Sequence, residues 1–268
     1  MQKKWLDGLC WIGFVAIAIF SLAPLLWGIR TSLTPNSELS WIPAHFTLDH
    51  YRNIFARPLF LNYIKNTLLV SVGAIALTLP IAMMGGYALA RYEFPGKRLS
   101  FILLILPLLP PIAILVPLIA YINKMAIYDT LLAVTLTTVV FNLPFAVWML
   151  RNFIIATPVA IEESALIDGC SPVGVLWRIT LPTIFPGIVA VSVFIFISSW
   201  NGYLFPFALI ADPNKRLLSQ AILAFLGAWG TDWGGLSAVG ILALIPPVTL
   251  FLFFQKWFIA GIVGQQLK

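Results

Sequence analysis

Six stretches of this chain run for about twenty residues each without an Asp, Glu, Lys, Arg or His: 9–29, 67–90, 101–122, 131–150, 184–205 and 237–255. About twenty helical residues cross the hydrocarbon layer of a bilayer. One ionisable side chain near mid-bilayer costs roughly 2.5–3.5 kcal/mol on insertion scales. Six consecutive uncharged runs therefore predict an all-α integral membrane protein with six transmembrane helices in a single domain over 1–268. Only 10% of the residues are charged, against about 25% in an ordinary soluble domain. Lipid must then be the solvent for much of the surface.

An even number of spans puts both termini on one side. Short connectors carry the best orientation signal, and the connector 91–100 holds Arg91, Lys97 and Arg98. Lys3 and Lys4 precede the first run. Both observations predict cytoplasmic N- and C-termini. The total count is closer, with nine basic residues inside and seven outside. The first run resembles a signal peptide in its flanks, but its length and Pro24, directly after Ser21-Leu22-Ala23, predict a retained helix. The net charge of +6 is spread through connectors in basic runs of at most two, which fits membrane orientation and not nucleic acid binding. Cys10 and Cys170 form no disulfide framework or metal motif. His45 and His50 share a connector and read as solvated loop residues, so no metal site is expected.

Prolines crowd the spans, at Pro24, Pro80, Pro107, Pro110, Pro111, Pro117, Pro144, Pro246 and Pro247. Each removes a backbone donor, so bends are expected, above all in the third span. Gly73, Gly85 and Gly86 in the second span predict close helix contact. The external connectors 30–66 and 206–236 are long, and the stretch Gly227–Gly235 reads as an irregular loop with interfacial Trp. Spans without ionisable groups are a poor basis for a proton-driven pump. HExxH, GxSxG and phosphate-cradling GxxxxGK[ST] patterns are missing from the sequence. The chain is thus expected to be no enzyme and to hold no cofactor, with energy entering from outside the bundle.

That directs attention to the cytoplasmic connector 151–183. Thr157-Pro158 predicts an N-cap followed by Pro at the first helical position. Glu162 and Glu163 lie near that helix start, where the dipole favours anions. Gly169 suits a left-handed stop. Ser171-Pro172 repeats the cap signal, Val173, Leu176 and Trp177 share a face, and Pro182 is expected to end the second helix. The first helix surrounds Glu162, Glu163, Ser164 and Asp168 with Val159, Ala160, Ile161, Ala165, Leu166 and Ile167. A helix apolar all round and acidic predicts cover by its own bundle and by a protein partner, not by an anionic lipid surface.

At these residues the sequence resembles the permease subunits of bacterial binding-protein-dependent ABC importers. Their signature is Glu-Ala-Ala, three residues, Gly, nine residues, then Ile-x-Leu-Pro. Here Glu163-Ser164-Ala165 precedes Gly169, and Ile179, Leu181 and Pro182 follow at the matching distance. Ser164 stands where the family has Ala, and it is small enough for a tight helix contact. The stretch Gly86 to Lys97, Asn142-Leu143-Pro144-Phe145 with Trp148, Arg151 and Asn152, Trp200-Asn201-Gly202-Tyr203, and Phe258-Ile259-Ala260-Gly261 with Gly264 are similar to the carbohydrate-uptake branch. The short N-terminus is similar to the shorter permease of the maltose system.

The resemblance implies a type I ABC importer permease fold in a bacterial inner membrane, moving a mono- or oligosaccharide. It implies pairing with a second permease, two ATPase subunits that hold ATP and magnesium, and an extracytoplasmic sugar-binding protein. Glu163, Ser164, Ala165, Asp168, Gly169, Ile179, Leu181 and Pro182 are the implied ATPase-coupling residues. Asn142, Trp148, Trp200, Asn201 and Tyr203 are candidates for the substrate path, because aromatic faces and amides suit sugars. A permease for a non-sugar solute, or a stand-alone secondary carrier, is the competing reading.

Overall fold

The computed structural model describes residues 2–36, 45–97, 102, 105, 110–227 and 230–263. The helices are α1 (Gln2–Ser32), α2 (Asp49–Ala56), α3 (Phe60–Arg91), α4 (Pro111–Lys124), α5 (Leu131–Ala156), α6 (Val159–Ile167), α7 (Pro172–Thr183), α8 (Phe185–Trp200), α9 (Leu204–Leu209), α10 (Leu218–Ala221) and α11 (Trp233–Val263). Among the described residues the only strands are β1 (Leu226–Gly227) and β2 (Gly230–Thr231), an antiparallel pair with Leu226 opposite Thr231.

Among the described residues, four helices are long and apolar enough to cross a membrane: α1, α3, α5 and α11. They contain the stretches 9–29, 67–90, 131–150 and 237–255. A fifth span arises if α7 and α8, bent by 80° at their junction, count as one broken helix. The stretch 184–205 does not stay helical to its end, because α8 stops at Trp200 and the chain restarts at Leu204. Of the stretch 101–122, residues 101, 103–104 and 106–109 lie outside the described residues, and α4 accounts for its second half. Ala228, Trp229 and Gly264 also lie outside them.

The chain divides into two compact units, Met1–Phe60 with Ala221–Ile245, and Leu61–Gln220 with Pro246–Lys268. In the first, polar bonds tie the loop after α1 to the start of α11. Asn36 donates to Asp232 Oδ1 at 2.8 Å, and Gly234 N–H donates to Asn36 Oδ1 at 2.8 Å. Ser32 Oγ lies 2.8 Å from the Tyr51 hydroxyl of α2. His50 is not a solvated loop residue as the sequence suggests. It sits on α2, half-buried, with Nε2 3.0 Å from the Thr34 carbonyl. Helical packing against the chain after α1 decides its surroundings, which local composition does not carry.

The second unit holds the main core. Ala74, Ala82 and Met83 of α3 pack with Val139, Ala146 and Leu150 of α5 and with Val191 and Ile195 of α8. Lipid tails are as apolar as these side chains, so close packing rather than water exclusion holds such helices together. The glycines of α3 provide it. A Cβ on Gly73 would meet Thr135 Cγ2 at 3.2 Å, and one on Gly85 would meet Val147 Cγ2 at 3.4 Å. At Gly86 the contact is with backbone, at 3.1 Å from Arg151 N and 3.2 Å from Val147 O. The two helices are therefore in main-chain contact one turn before Arg91.

At the opposite end of α3 and α5, polar groups fasten the connectors. Thr130 caps α5, accepting the Ala133 N–H and donating to Ile127 O at 2.6 Å. Asn66 donates to the carbonyls of Asn214 and Arg216, and Leu218 N–H donates to Thr67 Oγ1. Asp129, left-handed at φ 57°, accepts from Lys215 Nζ at 2.7 Å and from the N–H groups of Ala211 and Asp212. The Lys215 bond first, then those N–H bonds, hold its carboxyl down at about 2.

Two outcomes follow from this packing. Gly86→Leu forces α3 off α5 and lowers the melting temperature of the purified subunit by the equivalent of about 1–3 kcal/mol. Gly13→Ala, with nothing within 4 Å, leaves it unchanged. The folded carboxyl of Asp129 titrates below its ordinary value, so its stabilisation is full above about pH 4 and is lost as pH falls toward about 2. The stability gap between the native chain and Asp129→Asn, followed by thermal melting across that range, closes over the same interval.

Candidate functional site

The connector after α5 folds as helix, glycine turn, helix. Local chemistry sets most of it. Gly169 takes φ +87°, the left-handed stop. Its N–H donates to Leu166 O at 3.1 Å and that of Cys170 donates back to Ala165 O at 3.0 Å, which closes the end of α6. Ser171 caps α7 by accepting the Gly174 N–H, with Pro172 at the first helical position.

Two local expectations are corrected. Thr157 does not cap α6. It ends α5 in an extended conformation, and its hydroxyl donates back to Phe153 O. α5 reaches Ala156, so the connector proper starts at Thr157. Pro182 does not end α7. Residues Leu176–Thr180 form a π-turn, with Leu181 N–H reaching Leu176 O. The widened turn just ahead of Pro182 accommodates its ring and missing donor, and the helix continues to Thr183.

Glu162 is the buried residue of α6, at 3% exposure. Its carboxylate accepts from Arg91 Nε at 2.9 Å on one oxygen and from Arg91 Nη2 at 2.9 Å on the other. Thr180 Oγ1 of the π-turn donates at 3.0 Å, and the Tyr87 hydroxyl lies at 3.3 Å. Arg91 Nη2 also donates to Ile154 O at 2.8 Å and to Thr157 O at 3.0 Å. The side chains of Arg91 and Glu162 are 10% and 4% accessible.

Helix dipoles explain why this pair lies where it does. Arg91 ends α3 and reaches the last carbonyls of α5, so its charge meets two negative helix ends. Glu162 lies near the start of α6, where the field favours an anion. A fork-to-fork pair with every lone pair used is the geometry that can offset the cost of taking two charges out of water.

The remaining loop residues divide by exposure. Glu163, Ser164, Asp168, Gly169 and Pro182 are exposed, while Ala165, Ile179 and Leu181 are half-buried. Beside them lies apolar surface, with Ile167 86%, Val173 66%, Trp177 48% and Leu166 46% exposed. Of the path candidates, Asn142 is buried and donates to Thr138 O of its own helix. Trp200 is buried and stacked on Phe196 at 5.3 Å. Trp148, Asn201 and Tyr203 are exposed, and Tyr203 stacks on Phe207 at 5.3 Å. Sequence reasoning placed Glu162 near a helix start and Arg91 in a basic connector and a family-like stretch, but named neither as a site residue and did not pair them. The available signal was an Arg directly after an uncharged run, together with two adjacent Glu that must face different directions on one helix.

A family model described as the binding-protein-dependent transport system inner membrane component matches residues 78–263, a region that takes in all of this geometry. The chain belongs to that family. It is therefore a multi-pass permease subunit of an ABC importer in the inner membrane, a transport component and not itself an enzyme. It is 32% identical to an arabinooligosaccharides transport system permease of Halalkalibacterium halodurans, with 100% of each chain covered. It is 30% identical to a diacetylchitobiose uptake system permease of Streptomyces coelicolor, again over 100% of each. A trehalose transport system permease of Mycobacterium tuberculosis is 30% identical over 93% of both chains. In fold it is similar to a chain of a bacterial ABC transporter that imports the acidic polysaccharide alginate, with a TM-score of 0.80 at 19% identity, covering 96% of this chain and 98% of that one.

Removing one member of the buried pair leaves the other charge without a partner, which costs about 3–5 kcal/mol. Glu162→Leu alone should lower the melting temperature of the purified subunit more than Arg91→Met with Glu162→Leu together. A double-mutant cycle read by thermal melting measures the difference.

Proposed function

We propose that this permease carries a mono- or oligosaccharide into the bacterial cell as one of two different permeases around a shared path. In this reading six spans cross the membrane with both termini cytoplasmic, divided as the six uncharged stretches divide the chain. An extracytoplasmic binding protein delivers the sugar. Two copies of an ATPase, holding ATP and magnesium, dock beneath the loop 157–183. The named sugar systems of the relatives support the substrate class. The clustering of polar connectors supports the topology, because Arg91 meets Ile154, Thr157 and Glu162 at one end while Asn66 and Asp129 meet 209–216 at the other.

The observation that carries the reading is the free end of α6. Glu163, Asp168 and Gly169 are exposed, as are Leu166 and Ile167 of the same short helix and Trp177 of α7, so this polar connector carries exposed apolar groups among its acidic ones. Such a patch marks a protein contact. Glu163, Ser164, Ala165, Asp168 and Gly169 form the docking face, with Ile179, Leu181 and Pro182 at its root. On the path, Trp148, Asn201 and Tyr203 offer accessible aromatic and amide groups to a sugar, and Asn142 and Trp200 shape the wall behind them.

Purification from the native membrane should bring a second permease and an ATPase with this chain. Reconstituted with them and the binding protein, it should transport an arabino-oligosaccharide, diacetylchitobiose or trehalose. Glu163→Lys and Gly169→Asp should insert normally and lose about tenfold or more of the co-purifying ATPase, the scale expected for residues central to an interface. A subunit that purifies alone, or normal coupled transport in both variants, would refute the docking assignment.

A further inference from the structure

We propose that Arg91 and Glu162 are the pivot through which α6 moves the membrane helices, a positioning pair for coupling rather than part of the docking face. This inference rests on the reading of α6 as the docking helix. It goes beyond that reading by saying which bond transmits the motion.

The covalent attachments of α6 are soft. Thr157-Pro158 joins it to α5 in extended conformation, and the left-handed Gly169 with Cys170 and Ser171 joins it to α7. Beyond its contacts with α7 and the π-turn, these connectors leave α6 able to swing when its exposed end at Ile167 is pushed. Glu162 removes that freedom. It lies in the N-terminal half of α6, five residues before Ile167, and its carboxylate is fixed by Arg91, Thr180 and Tyr87. These partners lie on two transmitting elements, and Arg91 reaches a third. Arg91 and Tyr87 end α3. Arg91 also holds the Ile154 and Thr157 carbonyls at the end of α5. Thr180 lies in the π-turn that leads, through the 80° bend, into α8.

A displacement of the free end therefore becomes a rotation about Glu162. The torque passes to α3, α5 and the root of α8, which are the helices that pack together in the core. A bidentate fork resists both stretch and twist, which a single apolar contact does not. Single π-turns inside α-helices are frequent at functional sites, and Thr180 closes the one that precedes the bend into α8. The arrangement fits a rigid-body transition in which one buried contact carries the load between elements.

The test uses the complete importer in proteoliposomes, with an arabino-oligosaccharide, diacetylchitobiose and trehalose as the offered sugars. The readouts are ATPase co-purification and sugar moved per ATP hydrolysed. Glu162→Gln and Arg91→Gln should keep the ATPase bound within about twofold, while sugar moved per ATP falls about tenfold, the scale of a coupling free energy. Glu163→Lys should do the reverse, losing the ATPase while whatever remains assembled keeps its ratio. A purely structural role for the pair would lower yield and leave the ratio alone, so a native ratio in Glu162→Gln and Arg91→Gln overturns the pivot. Should those two variants fail to assemble, Thr180→Val removes one donor with little change of shape. A fall in its ratio then supports the pivot, and a native ratio overturns it. Native complex that moves none of the sugars, or that purifies without an ATPase, defeats the underlying reading, an outcome distinct from failure of the pivot alone.

Discussion

A guanidinium and a carboxylate shut away from water must find each other and must have all their remaining hydrogen bonds satisfied. That demand organises one end of this permease. Arg91 can be buried at the end of α3 only because Glu162 faces it and because α5 stops close by with two carbonyls unused. Glu162 can be buried only because α6 starts there and the π-turn of α7 brings Thr180 within 3.0 Å. Four segments are thus fixed relative to one another by one charge pair, and no member can be moved without exposing a cost in another.

The rest of the bundle follows from having lipid as solvent. Apolar side chains gain little by leaving lipid for one another, so association depends on how closely backbones approach. Gly73, Gly85 and Gly86 let α3 lie against α5, with main-chain contact at Gly86. That contact is one turn from Arg91, so the seam that aligns the helices also aims the guanidinium. Packing and electrostatics here are successive steps of one construction, in which a Cβ at Gly86 would shift the charge five residues on.

Uncharged length is a one-dimensional signal, and four of the six stretches lie in helices long enough to cross a membrane, with a fifth if the bent pair counts as one. Turn chemistry was equally local: Gly169 and Ser171 behave as their side chains dictate. The failures are those where a distant group decides. Thr157 looked like a cap, but the carbonyl of Phe153 on α5 takes its hydroxyl. Pro182 looked like a stop, but a π-turn ahead of it absorbs the ring. His50 looked solvated until the chain after α1 was placed beside it. Glu162 and Glu163 are neighbours in sequence and about 100° apart on a helix. Which of them turns inward depends on Arg91, 71 residues away, and no periodicity of an all-round apolar helix can show that.

The two ends of the second unit use ion pairs of different mechanical character. Asp129 and Lys215 are 25% and 41% accessible at the side chain, so water and salt weaken their attraction and the bond yields readily. Arg91 and Glu162, nearly closed to solvent, are screened far less. On the proposed docking of α6, force enters at the Arg91–Glu162 end. The end that receives the force needs a contact that does not slip. The contrast between the two pairs follows from where helix ends leave groups to be satisfied: Arg91 is enclosed by two helix ends, whereas Lys215 lies on an exposed connector.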